Sequence, residues 1–182
     1  MTETSPAARR LAELAVRKGA NLQPGQILSV ASEPGKEHMA RAVAEVAYQH
    51  GAKFVDLSVF DYYLKRARAI HSDPELLDYV PPWYGDRLLA LGDHRAALVY
   101  LAGPAAPNIM DGVSPELLGR DMLPHLKESS QIANDRTTNW TAVPCPTRAW
   151  AELVHPELDP DEAWIKLCDE ILYVCRLDEP DP

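Results

Sequence analysis

Positive charge is scarce in this chain: 18 Lys and Arg stand against 27 Asp and Glu, a net charge of −9 over 182 residues. Non-specific binding to nucleic acid or to an anionic membrane needs clustered positive charge, so neither is expected as a partner. Long apolar runs are lacking as well, and none approaches the length of a membrane span. The opening residues, Met-Thr-Glu-Thr-Ser-Pro, show no basic stretch followed by an apolar one, so no secretion signal is expected. Cysteine is sparse: Cys145, Cys168 and Cys175 make an odd count with no C-x-x-C pair. That fits reduced thiols in a cytoplasm better than a disulfide framework.

The signatures of common chemistries are missing too. There is no H-E-x-x-H, and His38, His50, His71, His94, His125 and His155 are far apart in sequence. His71-Ser72-Asp73 is the tightest His/Asp cluster, and it reads as capping and solvation of a helix end instead of a metal site. Gly35-Lys36 stands where phosphate loops sit, between a strand and a helix. The other glycines of such a loop are absent, however, and no Ser or Thr follows the lysine. Neither G-x-G-x-x-G nor the nucleophile elbow G-x-S-x-G occurs. Asn139-Trp140-Thr141 matches the glycosylation pattern, which is idle without secretion. Cys168 and Cys175 are seven residues apart on a helix and read as small apolar groups on one face.

What the chain does contain is a core: 46% of its residues are hydrophobic, and its 16 prolines punctuate it instead of forming one tract. The length fits one domain. Residues 6–18 read as a helix with Ser5 as N-cap, Leu11, Leu14, Ala15 and Lys18 on one face, and Gly19 closing it. Residues 27–31 read as a buried strand, 36–50 as a helix ended by Gly51, and 54–59 as a second strand. This strand–helix–strand pattern is a βαβ unit. Asp61 caps the next helix, which restarts at Ser72-Asp73-Pro74-Glu75, breaks at Val80-Pro81-Pro82 and resumes over 83–91. A strand follows at 97–101. A long helical region runs over 114–135, started by Ser114 and interrupted near Pro124. A fourth strand spans 140–143, and a last helix spans 159–174. The alternation predicts an α/β fold: a three-layer, open, mostly parallel sheet of at least four strands flanked by helices.

Residues 139–151 are the most constrained stretch. Pro144 and Pro146 fix φ on either side of Cys145 and hold their predecessors out of the α region. Thr147 then caps a helix begun by Arg148, Ala149 and Trp150. Aromatics are the other conspicuous feature: Tyr79, Trp83, Tyr84, Trp140, Trp150 and Trp164 cannot all be central in so small a domain. Two readings stand, one in which they cover the sheet faces and one in which some line a contact surface. Ligands of an open parallel sheet approach the carboxyl ends of its strands. That edge here carries no acid/base pair at an obvious spacing.

Several pieces together resemble one family. They are Leu11-Ala12-Glu13-Leu14-Ala15-Val16, Asn21-Leu22-Gln23-Pro24-Gly25-Gln26, Gly51-Ala52-Lys53-Phe54-Val55, Tyr79-Val80-Pro81-Pro82-Trp83, and Asn139-Trp140-Thr141 with Pro146-Thr147 and Ala149-Trp150-Ala151. From about residue 8 onward the chain resembles the amino-terminal domain of the thermophilic-type metalloaminopeptidases, the family of aminopeptidase T, aminopeptidase S and PepS. Cys145 and Arg148 depart from the pattern. The resemblance implies a cytoplasmic, homodimeric exopeptidase that releases amino-terminal residues from peptides. It also implies two divalent ions, with zinc, cobalt or magnesium as the candidates. Their Glu, His and Asp ligands are implied to lie in a carboxy-terminal domain, so no catalytic and no metal-binding residue is assigned here. Residues 1–175 are expected to form the amino-terminal α/β domain, with 176–182, acidic and proline-rich, starting a linker. Trp83, Asn139, Trp140 and Thr147 are expected near the surface facing the catalytic domain. The alternative is a free-standing small-molecule-binding or interaction domain of doubly wound type.

Overall fold

Short apolar runs alternate with helix-period stretches along the chain. In a computed structural model, which describes residues 6–180, they become four strands and eight α-helices. The strands are β1 (Ile27–Ser32), β2 (Phe54–Val59), β3 (Ala97–Ala102) and β4 (Asn139–Pro144). All pair in parallel, in the order β2-β1-β3-β4. The expected α/β fold is therefore present, with a sheet that is wholly parallel. β4 includes Pro144, whose missing N–H is tolerated because β4 is an edge strand.

Paired residues of parallel strands share a face, so the register sorts the side chains. Leu28 and Val30 align with Val55 and Leu57, with Ala97 and Val99, and with Thr141. This apolar face is covered by α1 (Pro6–Glu13) and α2 (Glu37–Gln49). Leu11, Val16, Met39, Val43 and Ala47 pack there against Leu28, Val30, Val99 and Leu101, all nearly inaccessible to solvent. Burying each of these Leu, Val and Met side chains contributes roughly 1.5–3 kcal/mol. Leu177 joins this core at 2% exposure.

The other face is mixed. Ser29 and Ala31 align with Asp56 and Ser58, with Leu98 and Tyr100, and with Trp140 and Ala142. It carries α4 (Pro82–Asp93) and α6 (Lys127–Asn134), which pack on each other. Leu91 and Ile132 meet Ala96 and Leu98 of the sheet side, with Ile27 and Leu88 alongside. Helices on both faces make the three layers. A further helix pair, α7 (Arg148–Val154) and α8 (Pro160–Val174), packs through Ala151, Ala163, Leu167 and Ile171.

The capping signals act as chemistry demands. The Asp61 carboxylate accepts from Tyr63 N at 2.8 Å and opens α3 (Tyr62–His71), and Asp159 accepts from Asp161 N at 2.9 Å ahead of α8. Gly51, at φ 90°, ends the turn after α2. Ser5 lies outside the described residues.

Three expectations need correction. Helix geometry does run on to Gly19, but residues Leu14–Gly19 form a wider π-helical segment in which Ala20 N donates to Ala15 O. Gly19 there presses on β4, where a Cβ would stand 2.6 Å from Thr141 Oγ1. The helix expected to restart after Ser72 is a single 3₁₀ turn, Pro74–Leu76. The Arg68 guanidinium captures the carbonyls of Leu76, Leu77 and Tyr79 and stops propagation. The long helical region of 114–135 is two short helices, α5 (Pro115–Arg120) and α6, and Ser114 makes no side-chain cap. Between them Asp121 turns inward at 3% exposure to pair with Arg68 at 3.1 Å, and Leu123-Pro124 is cis. Lys65 and Arg66 of α3 also hold this excursion, donating to carbonyls of Asp121 and Leu123 and of Ile109 and Asp111.

Candidate functional site

From β1 the chain goes first to one side of the sheet and later to the other, so the topology switches between β1 and β3. Ligands of open α/β sheets sit at that point, outside the carboxyl ends of the strands. In this chain its own lysine occupies the position. Glu33-Pro34-Gly35 turns after β1, with Gly35 at φ 88°, and leaves Lys36 wholly buried. Lys36 Nζ donates to Glu33 Oε1 at 3.0 Å, to Leu101 O at 2.8 Å and to Gly103 O. An ammonium group has three donors, and all three are matched. Glu33 Oε2 accepts from Ala105 N at 3.3 Å.

The amide of the turn just ahead of α2 is matched as well. Gly35 N donates to Glu37 Oε1 at 2.9 Å, and this bond draws the Glu37 carboxyl below its usual range. The Gly35-Lys36 position therefore offers neither a lysine nor an amide to a phosphate. Beside it lies Cys145, fully buried. Burial pushes its thiol up to about 11, against a smaller opposing pull from Lys36, which leaves it protonated and unreactive at neutral pH.

The open site is on the mixed face. Because α4 and α6 lean on each other over Ile27, Ala96 and Leu98, the carboxyl-side half of the face stays uncovered. A groove of about 790 Å³ results. Ser29, Ala31 and Ser58 form its floor, and Phe60, Tyr62, Trp83, Tyr84, Tyr100 and Trp140 its walls. The Tyr100 and Trp140 rings meet edge to face, with centroids 6.5 Å apart and planes at 78°. Burial pushes both the Tyr62 and Tyr100 phenols up, with Glu33 adding to the effect on Tyr62.

One polar chain crosses the floor. Ser29 Oγ donates to Asp56 Oδ2 at 3.0 Å, and Arg87 Nη2 of α4 donates to the same oxygen. Sequence reasoning did not single out these residues. The available signal was Asp56 itself, an acid inside the apolar strand Phe54-Val55-Asp56-Leu57, which must find a partner wherever it is half-buried.

Of the four residues expected at a contact surface, the structure brings two together. Trp83, 65% exposed, and Trp140, 58% exposed, both line the groove. Asn139 is exposed at the amino end of β4, and its register with Ala97 places it on the opposite face. Thr147 lies past the other end of β4, where its Oγ1 accepts from Trp150 N at 3.1 Å and donates to Pro104 O at 2.6 Å. It ties the β4 exit to the β3 exit.

Among the described residues no group of three or more His, Cys, Asp or Glu side chains stands close enough to share a metal ion. These residues therefore do not fit a metal pair. Nor is any helix among them long and apolar enough to cross a membrane.

Comparison with known proteins gives this arrangement its context. Residues 4–182 match the model of the thermophilic metalloprotease family M29. Aminopeptidase T of Thermus thermophilus is 32% identical over 176 residues, which are 95% of this chain and 43% of that protein. Aminopeptidase 2 of Geobacillus stearothermophilus is 30% identical over 179 residues, 95% of this chain and 42% of that protein. Among solved structures, wild-type AmpT from Thermus thermophilus superimposes with a TM-score of 0.82 at 31% identity, over 91% of this chain and 42% of that one. The chain thus spans less than half the length of the curated relatives it matches. A family match running from residue 4 to residue 182, with the parallel α/β fold of a solved relative, shows that this chain belongs to the thermophilic metalloprotease family M29.

Proposed function

We propose that these 182 residues are the amino-terminal, non-catalytic portion of a metal-dependent aminopeptidase that releases amino-terminal residues from peptides. The observation that carries this reading is the extent of the match: nearly the whole chain aligns with aminopeptidase T, yet it accounts for only 43% of that protein. The two divalent ions, zinc, cobalt or magnesium, are then held by the remainder of the enzyme, since the described residues here hold no ligand cluster. Residues 1–175 form the domain and 176–182 begin the connection to that remainder, anchored by Leu177 in the core. The enzyme is proposed to be cytoplasmic and homodimeric. Trp83 and Trp140 face the remainder across the groove, while Thr147 ties the exit of β4 to that of β3.

Hydrolysis of amino-acid p-nitroanilides tests the reading. The purified 182-residue chain, supplied with cobalt or zinc, should release nitroaniline no faster than buffer. Hydrolysis by this chain alone that a chelator abolishes would refute it.

A further inference from the structure

We propose that the groove on the mixed face receives the carboxyl end of an apolar peptide, with Arg87 binding the terminal carboxylate. The identification of the ligand as a peptide rests on the aminopeptidase reading, whereas the apolar carboxylate chemistry comes from the groove itself. Among the described lining residues, Arg87 carries the one fixed positive charge. Its bond to Asp56, which is itself held by Ser29, sets the direction of the guanidinium. That bond engages one of five donors, and the side chain remains 39% exposed. A guanidinium with a fixed plane and unused donors matches a carboxylate with two parallel hydrogen bonds.

The rest of the groove suits the side chains of such a peptide. Its volume of about 790 Å³ lies in the range of small-ligand sites, and such sites combine apolar walls with few polar anchors. Trp83, Tyr84, Tyr100 and Trp140 supply those walls. Glu33, the acid among the lining residues, is engaged by Lys36 and by Ala105 N, so its charge is offset where it stands. The groove thus pairs an apolar wall with one oriented guanidinium, whose charge Asp56 partly offsets and whose other donors stay open.

Tryptophan fluorescence of the 182-residue chain reads the binding directly, because Trp83 and Trp140 line the groove. The probe is acetyl-Leu-Phe-Leu with a free carboxylate, whose blocked amine protects it from an aminopeptidase. A saturable change is expected, weakened about tenfold or more when the probe is a carboxyl-terminal amide, as loss of a charge-assisted pair requires. Arg87→Gln should lower affinity for the acid to that for the amide. Arg87→Lys, which keeps the charge and the contact with Asp56, should bind the acid several-fold more weakly than the parent. Circular dichroism on both variants shows whether the fold is kept, and the acid-against-amide comparison on the parent chain needs no variant. Equal affinity for acid and amide, or no saturable change, would overturn the assignment. Octanoate binding as tightly as the tripeptide would overturn the peptide in favour of a simple apolar acid. None of these results bears on the aminopeptidase reading, which stands or falls on hydrolysis.

Discussion

Burying an ammonium group costs several kcal/mol unless each of its donors meets an acceptor. Lys36 meets that condition through one carboxylate and two carbonyls, and so clamps the turn after β1 to the end of β3. Lys36→Met keeps much of the side-chain volume but removes the charge. It leaves the Leu101 and Gly103 carbonyls without this donor and Glu33 without its cation. Urea unfolding should show a loss of about 3 kcal/mol, the scale for breaking a buried pair from one side. A loss under about 0.5 kcal/mol would mean that the clamp is ornamental. The sequence placed Gly35-Lys36 correctly between a strand and a helix. Which way the lysine faced depended on Leu101 and Gly103, more than sixty residues away, and no local pattern reports that.

At the scale of elements, the corner that leaves β4 was the most legible part of the chain. Pro144, Pro146 and Thr147 act within three or four residues of themselves, so their consequences were readable in order. The strand, the rigid exit and the Thr147-capped α7 all stand where expected, with β4 one residue longer at each end. What the corner packs against was not readable. Gly103, just past β3 at φ 105°, lies under the Trp150 ring, where a Cβ would stand 2.6 Å from ring carbons and 3.3 Å from Cys145 O. Gly103→Ala therefore meets a disfavoured backbone conformation and a steric clash together. It should lower stability by about 2–3 kcal/mol in thermal or urea unfolding. An unshifted midpoint would show that α7 can move away freely. The irregular stretch between β3 and β4 was the least legible, because Lys65, Arg66 and Arg68 of a distant helix hold it.

For the whole molecule, the sheet order puts an apolar core on one face and an uncovered aromatic groove on the other. Trp140 illustrates the difference between stability and function at this scale. It is 58% exposed and its described ring contact is the edge of Tyr100. Trp140→Ala should therefore cost the isolated chain only about 1 kcal/mol. On the function proposed above, in which the groove faces the rest of the enzyme, the same change in the full-length protein should alter turnover or the assembled mass. Steady-state kinetics and sizing chromatography check this, and unchanged values of both would remove the groove from function.

Alone, the sequence determined what arises from neighbours: the strands from short apolar runs, the caps at Asp61 and Thr147, and the turn at Gly51. Its resemblance also led to the family, because the Asn139-Trp140-Thr141 and Pro146-Thr147 pieces keep their order. Tertiary structure alone decided what arises from convergence. It turned Lys36 inward, joined Asp56 to Arg87 across two elements, and brought Trp83 and Trp140 to one groove while sending Asn139 to the opposite face. The reason is the range of the forces involved. Backbone preference and capping act over a few residues, whereas the partner of a buried charge is set by strand order and register, which only the packed sheet defines.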